Sequence, residues 1–177
     1  MKVLIIYGTV EGQTRKISER IVERIREIGH DAELDDSTSL PADLDVGAYD
    51  AVIVAASVHQ HRYQSSLVHF VKEHREQLQA QPTAFLSVSL SSVLEEDQHE
   101  AQGYVDQFLA ETGWRPTRTE LVAGALVYTQ YDFFKRQIMK LIVWKGGGPT
   151  DASQDYEFTD WGALSRFVDS FLEMAGS

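Results

Sequence analysis

The chain has 177 residues, which suits one domain with a sizeable core, and a single domain over 1–177 is the expectation. Its formal net charge of -11 opposes nucleic-acid phosphates, so no nucleic-acid partner is expected. It contains no cysteine, which excludes disulfides, thiolate catalysis and cysteine-ligated zinc or iron–sulfur centres, so redox chemistry would have to come from a cofactor.

Residues 3–8, VLIIYG, form a short apolar run without polar alternation, as in a strand buried on both faces. That run is too short for a signal peptide, and no window reaches the length of a membrane span. A cytoplasmic location is therefore expected. Between Gln13 and Gly29, Ile17, Ile21, Ile25 and Ile28 recur at helical spacing, with the glycine as a stop. Residues 31–34 read as a weak strand and 35–47 as a polar loop with room for one helical turn. Residues 49–58, YDAVIVAASV, are again continuously apolar. Residues 65–81 read as one helix with Leu67, Phe70, Val71 and Leu78 on one side, ended by Pro82. A strand over 83–93, a helix over 98–112, a fifth strand over 120–127 and an amphipathic helix over 161–174 complete the pattern.

Apolar strands alternating with helices specify a parallel sheet covered on both faces by right-handed crossovers. Five strands in this length fit an α/β, flavodoxin-like, doubly wound sheet of order 2-1-3-4-5. Ligands bind such sheets beyond the carboxyl ends of the first and third strands. The loop after the first strand, Thr9-Val10-Glu11-Gly12-Gln13-Thr14, offers hydroxyls, a glycine for a left-handed turn and the amides of a helix N-terminus, which together suit a phosphate. An ordinary N-cap at Thr14 is the plainer alternative. The dinucleotide pattern G-x-G-x-x-G and the Walker lysine are absent, and Ala55-Ala56-Ser57 stand where a phospho-receiver needs an aspartate. Flavin mononucleotide (FMN) is the common occupant that remains, and the loop resembles the flavodoxin phosphate loop with Glu11 in place of a hydroxyl residue. By fold position, Ser57, Val58, His59 and Gln60 with Ser89, Leu90 and Ser91 would flank the flavin ring.

YGTVEGQTRKI (7–17), IVAASV (53–58), AFLSVSL (84–90), WRPTR (114–118), AGALVYTQYDFFKRQIMKLI (123–142), GGGPTD (146–151) and FTDW (158–161) resemble the menaquinone-dependent protoporphyrinogen IX dehydrogenase family over nearly the whole chain. The resemblance implies FMN-dependent oxidation of protoporphyrinogen IX to protoporphyrin IX, with a quinone as electron acceptor. Its most specific part is 123–151, which ordinary flavodoxins lack and which implies an inserted helical segment after the fifth strand. Leu94-Glu95-Glu96-Asp97 stand where the bacterial enzymes would carry basic residues, and His59-Gln60-His61-Arg62-Tyr63 depart from the expected Arg-Tyr-Gly pattern.

Within that insert, Asp132 to Lys145 holds eight apolar residues of fourteen and a local charge of +3. This suits either a core helix or a surface for a large apolar substrate or a membrane, where Lys135, Arg136 and Lys140 would meet propionates or lipid phosphates. Peripheral contact with the inner face of the cell membrane is the corresponding expectation. Tyr128 and Tyr131 could stack on a flavin or porphyrin ring or pack at a loop base. His59 and His61 alternate like metal ligands but lack a third, so no metal is expected. His59, Arg62 and Tyr63 are the candidates for hydrogen bonding to the flavin or receiving a substrate proton, with His59 and Tyr63 the catalytic choices. A flavodoxin-type electron carrier, an NAD(P)H:quinone reductase and a flavin-free interaction domain are the rival readings.

Overall fold

An apolar strand with no polar face needs cover on both sides, and alternation divides its residues between two cores. The computed structural model describes residues 1–126 and 156–177. In its first strand, β1 (Lys2–Gly8), Val3 and Ile5 enter one core and Leu4 and Ile6 the other, all four without exposed surface. The remaining sheet strands are β2 (Asp31–Asp36), β3 (Ala51–Ser57), β4 (Thr83–Ser89) and β5 (Arg118–Ala123). They pair in the order β2-β1-β3-β4-β5, all parallel, as the strand–helix alternation specifies. Past Gly124, β6 (Ala125–Leu126) pairs antiparallel with β7 (Tyr156–Glu157).

The helices are α1 (Gln13–Glu27), α2 (Ser65–Glu73), α3 (Arg75–Gln79), α4 (Gln98–Thr112) and α5 (Trp161–Ala175). On one face of the sheet, Ile17, Ile21 and Ile25 of α1 meet Phe167 and Phe171 of α5. Arg24 clamps these two helices, donating from Nε to Asp169 Oδ1 and from a terminal nitrogen to Oδ2, both at 2.8 Å. On the other face Leu67 and Phe70 of α2, with Val105 and Phe108 of α4, enclose Phe85 and Trp114. Phe85 and Phe108 stack at 4.7 Å between ring centroids.

Several boundaries differ from those the sequence predicts. The single helix over 65–81 is two, because the backbone at His74 (φ -97°, ψ 14°) leaves helical geometry. The bend keeps Leu78 fully buried while Gln81 donates to the Val46 carbonyl at 3.0 Å, holding the loop before β3. The strand over 83–93 stops at Ser89, where the Ser92 amide donates to Ser89 Oγ at 3.2 Å and turns the chain. The fifth strand begins and ends earlier than predicted, at Arg118 and Ala123, and Gly124 donates back to the Ser89 carbonyl at 3.0 Å. The weak strand over 31–34 extends to Asp36 because β1 supplies a full parallel partner. Tyr128, Tyr131, Lys135, Arg136, Lys140 and the predicted helical insert lie outside the described residues. Among the described residues no helix is long and apolar enough to cross a membrane.

Candidate functional site

Strand order places the switch point between the neighbouring strands β1 and β3, and the loop Thr9–Thr14 leaves the sheet at the end of β1. Gly12 adopts φ 90° and ψ -13° as the N-cap of α1, a backbone state that costs any other L-residue strain. Among the described residues no side chain caps this helix. Its first internal bond runs from the Lys16 amide to the Gly12 carbonyl at 3.1 Å, so the helix offers no acceptor to the amides of Gln13, Thr14 and Arg15. The Gly12 amide donates to Thr9 Oγ1 at 2.9 Å, which tightens the loop. Thr14 lies beneath it with 0% exposure, and its Oγ1 has no hydrogen-bond partner among the described residues. A buried hydroxyl left so costs about 1–3 kcal/mol, which an acceptor arriving at the helix N-terminus would recover.

A second loop reaches the same place from β3. His59 and Arg62 exchange backbone hydrogen bonds, His59 N–H to the Arg62 carbonyl at 2.8 Å and Arg62 N–H to the His59 carbonyl at 3.0 Å. Between them Gln60 (φ 49°) and His61 (φ 64°) are both left-handed. Two-residue hairpins of this kind favour Asn-Gly, and side chains at both positions cost roughly 1–2 kcal/mol each. The hairpin sets His59 Nδ1 3.1 Å from Glu11 Oε1, bridging the two loops. Burial pushes the Glu11 carboxyl above its ordinary range, and His59 draws it partly back.

A cleft between these loops and the end of β4 is lined by Thr9, Glu11, Gln13, Ser57, Val58, His59, Ser89 and Leu90. The structure thus gathers eight of the residues selected from sequence, and Val88, Gly124 and Ala125 complete the lining. Val10 is half exposed at the loop tip, Gln60 is exposed at the hairpin tip, and Gly12 and Thr14 form the loop's turn and underside. Gln13 is tied sideways, donating to Thr159 Oγ1 at 3.0 Å. Ser91 turns away and donates to Glu100 Oε2 at 3.0 Å. Tyr63 lies outside the cleft between Phe85 and Phe108, its hydroxyl 2.7 Å from Ser87 Oγ, and burial pushes its phenol well above the ordinary value. His59 and His61 diverge, one toward Glu11 and the other toward Tyr104.

Residues 4–153 match the family described as Flavodoxin domain. Protoporphyrinogen IX dehydrogenase (quinone) of Escherichia coli strain K12 is 34% identical over 169 residues, 95% of this chain and 93% of that protein. The Leishmania major protein of the same name is 31% identical over 98% of this chain and 75% of its own length. The chain belongs to the protoporphyrinogen IX dehydrogenase family of flavodoxin-domain proteins. Oxidised flavodoxin 1 of Bacillus cereus, at 15% identity and TM-score 0.58 over 98% of both chains, shares its fold. So does a short-chain flavodoxin associated with a non-canonical PDU bacterial microcompartment, at 10% identity and TM-score 0.60 over 99% of both chains.

Membership of this family makes a flavin the cofactor, and the residues present fit one. An uncapped helix start, a left-handed glycine with open space where a side chain would stand, and the unpartnered Thr14 hydroxyl are the donor set a flavin phosphate needs. The family member also has residues at the site that the pattern of its sequence does not single out. Gln64 donates to the Thr9 carbonyl, and a Cβ at Gly8 would come within 3.0 Å of Gln64 Oε1, so the glycine lets this brace in. On the outer side of the His59–Arg62 hairpin, a second cavity of about 540 Å³ opens between α2 and α4, with Arg62, Lys72 and Tyr104 in its wall.

Proposed function

We propose that this chain is a single-domain, FMN-dependent oxidoreductase that oxidises protoporphyrinogen IX to protoporphyrin IX and passes the electrons to a quinone. The observation that carries the cofactor is the buried, unpartnered Thr14 hydroxyl beneath an uncapped helix N-terminus at the end of β1. The names of the relatives support the substrate and the acceptor. When bound, FMN supplies the redox chemistry, taken up in successive hydride-type rounds.

The chain's own residues bind and orient. Thr14 Oγ1 and the amides that open α1 hold the phosphate, and Gly12 keeps that turn close and unobstructed. Glu11 would stand near a dianion, and the 3.1 Å contact ties its carboxylate to His59 Nδ1. Ser57 to His59 and Ser89 to Leu90 line the cleft that would hold the ring, and Gly124 and Ala125 complete its wall. Of the two side chains considered for proton transfer, His59 is the one in the cleft, where it can hold or accept a substrate proton. In the sequence, Tyr128, Tyr131, Lys135, Arg136 and Lys140 supply the basic and aromatic side chains that would meet the porphyrinogen, or a membrane that holds the quinone.

The test is anaerobic mixing of FMN-loaded protein with protoporphyrinogen IX, following the visible flavin absorption and porphyrin fluorescence together. Bleaching is expected with at most one porphyrin formed for every three flavins reduced, and added quinone should restore the flavin colour and carry porphyrin fluorescence to completion. Flavin that stays oxidised would overturn the substrate while leaving the cofactor. The flavodoxin fold favours one second reading, an electron carrier, which would ignore the porphyrinogen.

A further inference from the structure

Resting on the FMN reading, we propose that Glu100 and Tyr104 of α4 form a strut that sets both loops flanking the flavin ring, as positioning residues that do not touch the flavin. The strut is a continuous chain of hydrogen bonds. Ser91 Oγ donates to Glu100 Oε2 at 3.0 Å, and Tyr104 Oη donates to Glu100 Oε1 at 2.8 Å. His61 Nδ1 stands 2.7 Å from Tyr104 Oη. The tyrosine proton is committed to the carboxylate, so the contact with His61 requires the imidazole to carry its proton on Nδ1 and donate. Burial and the Glu100 carboxylate both push the Tyr104 phenol above its ordinary value, which keeps that proton in place.

Each end of the chain lies in a loop of the flavin cleft. His61 is the second left-handed residue of the His59–Arg62 hairpin, two positions from His59 in the cleft wall. Ser91 follows Leu90, also in the wall, at the turn that Ser89 and Ser92 tighten with a 2.8 Å contact between their hydroxyls. A hairpin with side chains at both left-handed positions needs an outside tie to keep its shape, and strain of this kind is held where the surroundings over-determine it. Tyr104 is that tie. Glu100 accepts from Ser91 of one loop and from Tyr104, which in turn holds His61 of the other, so the pair fixes the distance between the two walls.

The experiment is amide hydrogen exchange on the full chain, with and without FMN, combined with FMN titration by fluorescence quenching and visible circular dichroism of the bound flavin. Glu100→Ala should raise exchange at 58–62 and at 89–93 together and weaken FMN binding about tenfold. Tyr104→Phe should raise it at 58–62 alone, and Ser91→Ala at 89–93 alone. Glu100→Gln can accept from Tyr104 and donate to Ser91, and should restore protection, affinity and the flavin dichroism. Loosening of one loop or neither in Glu100→Ala, or unchanged FMN affinity and dichroism, overturns the strut. A wild-type chain that binds no FMN overturns the cofactor reading, and the exchange pattern then decides on its own whether the two loops are coupled.

Discussion

At the scale of single residues, substitution of Thr14 tests the proposed phosphate site apart from folding. Its hydroxyl is buried and unpartnered, so removing it should relieve the protein without ligand and harm the complex. Thr14→Val keeps the shape, and its melting temperature without FMN should be unchanged or higher. Its FMN dissociation constant should rise roughly tenfold to a hundredfold, the range for a lost hydrogen bond to a charged group. Titration and thermal melts check both signs, and a lowered melting temperature with unchanged affinity would make Thr14 a packing residue only. Gly12 and Thr14 were legible in the chain because a loop's glycine and hydroxyls announce their chemistry locally. Gln64 and Gly124 were not, because each acts on a backbone far away in sequence: Gln64 on Thr9, Gly124 on Ser89.

Among elements, the sheet depends on helices that neighbour each other only in space. The Arg24–Asp169 clamp joins α1 to α5, and its hydrogen bonds hold the Asp169 carboxyl below the ordinary aspartate value of 3.8. A carboxyl lowered in the folded state stabilises it above the unfolded value, and that contribution is lost as pH falls through the folded one. Asp169→Asn should therefore lower the melting temperature at pH 7, and the difference from wild type should close as the pH falls below about 3.8. Melts across that range decide it, and a difference independent of pH would make the clamp steric rather than electrostatic. The break at His74 belongs to this scale too. Helical spacing of Leu67, Phe70, Val71 and Leu78 joined 65–81 into one element, but the contact between Gln81 and Val46 set the second segment's direction.

For the whole molecule, the distribution of charge carries more than its sum. A body of -11 should be repelled by anionic lipid, while 132–145 carries +3, so contact with such a surface would have to run through that segment. Cosedimentation with phosphatidylserine vesicles should therefore detect binding at low salt that fades as salt is raised. The triple variant Lys135→Glu, Arg136→Glu, Lys140→Glu should abolish it, and binding that survives these changes would move the contact elsewhere.

The amino-acid sequence by itself determined the strand order, the two-sided burial of the sheet and the place of the Thr9–Thr14 loop at the end of β1. These depend on apolar runs, helical spacing and turn residues, all of which act over a few neighbours. Only the tertiary structure decided that Tyr63 belongs to the aromatic core, that Ser91 faces α4 and that His59 meets Glu11. A side chain's direction at a loop is set by the partners that folding brings to it. Tyr63 found Phe85, Phe108 and Ser87, and Ser91 found Glu100, none of them within reach of a local pattern.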